Sequence, residues 1–300
     1  MSTKNNSSRG RQSSDDKKPS RTGKSKNLEM KNLFTKPGDK NFRPHPQKIK
    51  NFKKKSATTP KESSTDEIRL NKYISNSGIC SRREADVYIK SGSATVNGKI
   101  ITEMGYKVQP NDEVRFDEVL ISPESKRYVL LNKPKNYITT MDDERGRKTV
   151  MELIRSAAKE RIYPVGRLDR LTTGLLLFTN DGEMAKKLTH PKHQVKKLYH
   201  VTLDKKLSMS DLSKISSNFV LDGKMVFVDK ISYVENKPKH EIGIEIHSGR
   251  NRIVRRIFEN FGYKVTKLDR VIFAGLTKKN LSRGIWRHLT QQEVNNLKMI

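Results

Sequence analysis

Pro164-Val-Gly-Arg-Leu-Asp-Arg-Leu-Thr-Thr-Gly-Leu-Leu-Leu-Phe-Thr-Asn-Asp-Gly182 is the stretch from which the rest of the chain can be read. One carboxylate, Asp169, stands between Arg167 and Arg170. An apolar run, Gly174 to Thr179, follows and ends at the turn residues Asn180-Asp181-Gly182. A short run of this kind bounded by turn residues predicts a buried strand, with an acid presented on the loop ahead of it. Taken alone, Arg-x-Asp-Arg also describes an ordinary surface salt bridge, so the surrounding chain has to decide.

Around this stretch the pattern is of strands with interspersed helices. Arg127 to Pro134 reads as a strand that the proline ends. Val150, Leu153 and Ile154 predict a short helix after a polar loop, and Glu183 to Leu188 a second one. Lys197-Leu-Tyr-His-Val-Thr-Leu203 alternates as a half-buried strand with Tyr199, Val201 and Leu203 on one face. Ser208 opens a helix with Leu212 and Ile215 inward. Strands are expected over Met225–Val234, Glu241–His247 and Val265–Leu276, then a capping box at Thr290 and Glu293 with a closing helix. Strict βαβ alternation is absent, which indicates an α+β domain with a mixed or antiparallel sheet over about 127–298.

Upstream, Leu70, Tyr73 and Ile74 fall on one helical face. Ser81-Arg-Arg-Glu84 is a capping box, and the helix it opens carries Ala85, Tyr88 and Ile89 inward. Asn97-Gly98 sits between two short β-like runs as a hairpin signal, and Asp112 to Phe116 gives a last strand. Residues 117–126 read as a linker. Arg69, Lys72, Arg82 and Arg83 gather on the exposed side. As a set, Arg69-Leu-Asn-Lys-Tyr73, Ser81-Arg-Arg-Glu-Ala85 and Val96-Asn-Gly98 resemble the S4-like RNA-binding domain, over about 66–118. The resemblance implies RNA contacts from Arg69, Lys72, Ser81, Arg82 and Arg83.

The charge balance agrees. Sixty-two Lys and Arg against 33 Asp and Glu give a formal net charge of +29, an excess that points to a polyanion and first to nucleic acid. No long apolar run argues for a membrane. Residues 1–65 hold eighteen basic and five acidic residues with few large apolar ones. They are expected to form a disordered basic tail that raises RNA affinity through phosphate contacts. The single cysteine, Cys80, excludes an internal disulfide and fits a reducing cytoplasm, and the Met-Ser-Thr-Lys-Asn-Asn start lacks a secretory apolar region, so a cytoplasmic protein is expected. Dinucleotide and P-loop glycine motifs are absent. His190, His193 and His200 lack acid or thiol ligands at metal-binding spacing and read as part of a basic loop and a strand, so no metal and no cofactor is expected.

A second chemically loaded stretch is Ser248-Gly-Arg-Asn-Arg-Ile-Val-Arg-Arg-Ile-Phe258. Val254, Ile257, Phe258 and Phe261 predict a helix with Arg250, Arg252, Arg255 and Arg256 crowding its N-terminal half. Basic residues there oppose the helix dipole, a cost that a helix facing phosphate or carboxylate has reason to carry.

With these pieces in place, Gly166–Gly182, Lys197-Leu-Tyr199 and Gly249-Arg-Asn-Arg-Ile-Val-Arg-Arg256 together resemble the three motifs of the RsuA/RluB group of bacterial rRNA pseudouridine synthases, and the order of the two domains is also that group's. The resemblance implies Asp169 as the catalytic aspartate, Tyr199 as the aromatic that packs on the target base and assists proton removal from C5, and Arg255 as the partner of Asp169. It also implies Leu268 as an apolar wall and Arg167, Arg170, Lys197, Arg252 and Arg256 as substrate-binding groups. Two positions depart from the group: Asn136 stands where a glycine is more common, and Ile253 where a glutamine is usual.

The chemistry is consistent with this. Turning uridine into pseudouridine breaks N1–C1′, rotates the uracil and forms C5–C1′, without redox or group transfer. One ionised carboxylate is needed, whether it adds to the sugar or the base or removes a sugar proton, and a nearby guanidinium keeps it charged. The expected partner is structured ribosomal RNA, on the wording of the motif more of the large subunit, bound by a monomer. The competing reading is a non-catalytic RNA-binding assembly factor using the same basic surface.

Overall fold

The computed structural model describes residues 67–300; the tail expected over 1–65 lies outside them. The first module comprises β1 (Ile68–Arg69), α1 (Leu70–Asn76), α2 (Arg82–Lys90), β2 (Ala94–Val96), β3 (Lys99–Ile100), β4 (Lys107–Val108), β5 (Val114–Phe116) and β6 (Val119–Leu120). Leu70, Ile74, Ala85 and Ile89 are buried together against Ala94, Val96 and Val114. Both halves of the Ser81–Glu84 capping box are formed. Tyr88, expected inside, is instead largely exposed and meets Phe116 edge to face. Asn97 and Gly98 both adopt positive φ, 51° and 78°, as a tight hairpin turn requires.

The stretch read as a linker begins with structure. Asp117 and Glu118 also take positive φ, 44° and 68°, and turn the chain so that β6 pairs with β5. Two successive non-glycine residues in that region run against local preference, which is why the sequence did not announce the turn. The next residues stay on the module: the Tyr73 hydroxyl donates to the Ile121 carbonyl (3.3 Å), and the Glu124 amide to the Asn76 carbonyl (2.9 Å).

The second domain contains β7 (Tyr128–Lys133), α3 (Val150–Leu153), β8 (Tyr163–Pro164), β9 (Thr173–Thr179), α4 (Gly182–Thr189), β10 (Lys197–Leu203), α5 (Met209–Ser216), β11 (Phe219–Leu221), β12 (Lys224–Val226), β13 (Lys230–Tyr233), β14 (Glu241–Ile246), α6 (Ile253–Asn260), β15 (Val265–Phe273), β16 (Leu276–Thr277), β17 (Trp286–His288) and α7 (Gln291–Met299). The main sheet runs β13-β14-β10-β15-β9-β7-β17. Its pairs are antiparallel except β9 with β15, which are parallel. The expected Met225–Val234 strand is divided. Its first part pairs with β11 through the Asp222-Gly223 turn, and its second joins the main sheet.

All seven residues of β9 are buried, so the apolar run is covered on both faces. Leu175 and Leu177 pack with Met184, Leu188 and Leu297, while Leu176 and Phe178 pack with Val150, Ile154 and Ile162. Gly174, the second residue of β9, adopts φ 105°, and a Cβ there would lie 2.5 Å from the Arg270 amide nitrogen. Only glycine allows β9 and β15 to meet so closely. This seam joins the two halves of the sheet, and the Asp169 loop lies directly before it.

Candidate active site

Asp169 sits on the loop between β8 and β9, held at several points. The Thr172 amide donates to the Asp169 carbonyl (3.0 Å), and the Asn136 amide to the Arg170 carbonyl (2.8 Å). Thr139 bridges to Leu168 in both directions, its hydroxyl donating at 2.9 Å and accepting at 3.2 Å. Asn136 adopts φ 70°. Asparagine tolerates this left-handed conformation better than most residues, so it serves where a glycine is more common.

Beneath the loop lies a residue the sequence reading left unassigned. Lys133, at the end of β7, is fully buried. Its ammonium donates to the carbonyls of Thr172 (2.9 Å), Asp169 (3.1 Å), Pro134 (3.2 Å) and Arg170 (3.4 Å). Burial pulls its pKa down to about 8, with the Asp169 carboxylate working the other way and Arg283 adding to the drop.

The Asp169 carboxylate faces two guanidiniums at the start of α6: Oδ2 lies 3.7 Å from Arg252 Nη1 and 3.9 Å from Arg255 Nε. Among the described residues it pairs with neither Arg167 nor Arg170, both of which are exposed. Arg255 is the buried partner, anchored by Nη1 donating to the Val265 carbonyl (2.8 Å). Burial and Arg252 push its pKa down, while Asp169 pushes it back up.

α6 starts later than the arginine pattern implied. Arg252 is its N-terminal flanking residue at φ 48°, so Arg250 and Arg252 precede the helix and only Arg255 and Arg256 lie in its first turns. A left-handed arginine is a locally strained conformation; here it carries the guanidinium toward Asp169. Ile253, at the position where glutamine is usual, is buried in the apolar core.

Asp169, Tyr199, Leu268, Arg167, Arg170, Lys197 and Arg252 all line one cavity of about 470 Å³. Leu268, on β15, is buried and forms part of the lining. Lys197 reaches the cavity from β10, but its ammonium donates to the carbonyls of His247 (2.7 Å) and Val195 (2.9 Å). Burial and Arg270 lower its pKa to about 8 against the pull of Asp229. Arg256 is not part of the lining: its guanidinium meets Asp222 on the β11–β12 turn. Arg270, which sequence reasoning did not assign, forms part of the cavity.

In the first module Arg69, Arg82 and Arg83 are exposed. Ser81 is occupied by its capping box, and Lys72 bonds Glu183 of α4 at 2.5 Å, which ties this module to the catalytic one. His190, His193 and His200 do not assemble a metal site: among the described residues no group of three or more His, Cys, Asp and Glu is placed to hold an ion. No described helix is long and apolar enough to cross a membrane.

Comparison with known proteins matches residues 68–114 to the S4 domain and residues 127–260 to the RNA pseudouridylate synthase family. Ribosomal large subunit pseudouridine synthase B of Bacillus subtilis is 39% identical over 240 residues, covering 77% of this chain and 96% of that protein. The dual-specificity RNA pseudouridine synthase RluF of Escherichia coli is 37% identical over 233 residues, covering 77% and 78%. A crystal structure of a pseudouridylate synthase superposes with a TM-score of 0.54 at 28% identity, over 77% of this chain and 99% of that one. With its S4 domain followed by the catalytic domain, the chain belongs to the RsuA/RluB group of RNA pseudouridine synthases, isomerases that act on RNA.

Proposed function

We propose that this enzyme isomerises a specific uridine of large-subunit ribosomal RNA, with Asp169 as the catalytic carboxylate. The observation that carries the reading is the placement of the Asp169 carboxylate on the cavity wall, 3.7 and 3.9 Å from two guanidiniums and sharing that cavity with Tyr199 and Leu268. The name of the Bacillus subtilis relative supports the choice of ribosomal subunit.

In this reading the target nucleotide leaves its stack and enters the cavity, where the Tyr199 ring and Leu268 receive the base. Arg255, fixed by the Val265 carbonyl, keeps Asp169 ionised while N1–C1′ breaks. The uracil then turns to present C5, C5–C1′ forms, and Tyr199 assists departure of the C5 proton. Arg167 and Arg170, exposed at the rim, take the flanking phosphates, and Arg69, Arg82 and Arg83 hold a more distant part of the RNA. The chain works as a monomer in the cytoplasm.

Asp169→Asn tests the reading. The variant is expected to bind a large-subunit RNA fragment with nearly the wild-type Kd and to release no tritium from 5-³H-uridine RNA. Turnover equal to wild type would remove Asp169 from the chemistry. Pseudouridine mapping of ribosomal RNA from cells with and without the protein identifies the target, and a change confined to the small subunit would overturn the choice of large-subunit RNA.

A further inference from the structure

Arg270 is 3% exposed and lines the catalytic cavity from β15. Its Nε donates to the Leu175 carbonyl (2.8 Å), and its guanidinium lies 4.5 Å from the centre of the Phe273 ring. Its Nη2 is buried without a hydrogen-bond partner, and among the described residues Arg270 makes no ion pair. The adjacent acid cannot serve. Asp269 points to the other face of the strand, where Thr173, Arg283 and Lys278 satisfy it. Burial holds the Arg270 pKa down, and Tyr199, opposite it in the β10–β15 register, works the other way through its charge and a side-chain hydrogen bond, which leaves Nη2 as the idle donor. A second, half-buried cation, Lys197, stands close enough for Arg270 to disfavour its charge.

A buried cation with an idle donor and no counter-ion is costly. The cost has a rationale where a ligand supplies the missing acceptor. Resting on the function proposed above, we infer that Arg270 is a further catalytic residue, which donates from Nη2 to a carbonyl oxygen of the uracil and stabilises the negative charge the ring acquires when N1–C1′ breaks.

The electron pair of the breaking N1–C1′ bond leaves with the base, and the resulting anion is shared between ring nitrogen and carbonyl oxygens. When the rotated ring bonds to C1′ through C5, that pair forms the new bond, the C5 proton is lost and N1 takes up a proton, so the product is an isomer and no oxidant or co-reactant is needed. A donor fixed in advance by Leu175 and Phe273 needs no reorganisation as the charge appears, which is the condition under which such a contact is most effective. Lys197 adds to the same field from the neighbouring strand.

The test is Arg270→Met beside Arg270→Lys, each assayed by single-turnover tritium release, RNA affinity and urea denaturation. Methionine fills the space without a charge, and replacing a buried unpaired ion by an apolar isostere is commonly neutral or stabilising. The expected result for Arg270→Met is a folded protein of equal or higher midpoint, unchanged RNA Kd and a single-turnover rate lower by about 100-fold or more. Arg270→Lys should recover part of that rate. A methionine variant that is markedly destabilised and turns over normally once folded would make Arg270 structural. A folded methionine variant with the wild-type rate would overturn the inference while leaving the proposed function standing. A wild-type protein inactive on all ribosomal RNA would overturn the function itself.

Discussion

Replacing Lys133 by methionine removes a buried ammonium while keeping most of its volume, and the structure allows the effect to be worked out. Four carbonyls lose their donor, those of Thr172, Asp169, Pro134 and Arg170. The ammonium carries three N–H bonds, so at the low end for a charged donor, ~1.5 kcal/mol each, the gross loss is about 4.5 kcal/mol. Against this stands relief from burying the charge. The drop in pKa from 10.5 to about 8 is worth about 3 kcal/mol at neutral pH. The net expectation is a destabilisation of about 1.5 kcal/mol at pH 7, read as a lower urea midpoint at constant m. The pH dependence has a definite sign. The folded protein releases the Lys133 proton near pH 8, whereas the unfolded chain keeps it to about 10.5. Between these values the unfolded state binds more protons, so the Lys133 contribution to stability rises with pH. The gap between wild type and Lys133→Met should therefore widen from pH 8 toward pH 10. Turnover should fall as well, because the carbonyls released belong to the loop that carries Asp169. A gap that narrows over that range, or a variant within about 0.5 kcal/mol of wild type at pH 7 with normal turnover, would refute this account of the loop.

Gly174→Ala should be among the most damaging single methyl additions in the catalytic domain. The new Cβ meets Arg270 and Asp269 at the seam between β9 and β15, in a backbone conformation alanine resists. A loss of at least ~3 kcal/mol is expected, and a urea midpoint equal to wild type would show that the seam can open at little cost. Deleting residues 1–65, with their eighteen basic and five acidic residues, should weaken RNA binding and flatten the dependence of log K on log salt. An unchanged slope would exclude the tail from phosphate contact.

What could be read from the sequence divides along a physical line. Features whose cause is local were legible: the capping residues Ser81 and Glu84, and Thr290 and Glu293, form their boxes, and the doubly buried β9 follows from an unbroken apolar run. The pairing of Asp169 with Arg255, and the sharing of one cavity by Asp169, Tyr199 and Leu268, could be expected only through motif resemblance, since nothing local fixes contacts between residues so far apart in sequence. Features whose cause is distant in sequence were missed. Lys133 lies at a strand end that looks like any solvent-exposed terminus, and only the arrival of three carbonyls from Asp169, Arg170 and Thr172 makes its burial tolerable. The left-handed Arg252 has no local marker either, so the start of α6 was placed too early. Two misses had a usable signal. Asp222-Gly223 is a strong hairpin dipeptide, and it sets the turn between β11 and β12. Arg270 follows from strand alternation: residues two apart share a face, so placing Leu268 on the cavity wall already placed Arg270 there. A charged residue brought to the same face as a proposed apolar wall is a contradiction for a purely structural strand, and the resolution the cavity offers is a ligand that takes the charge.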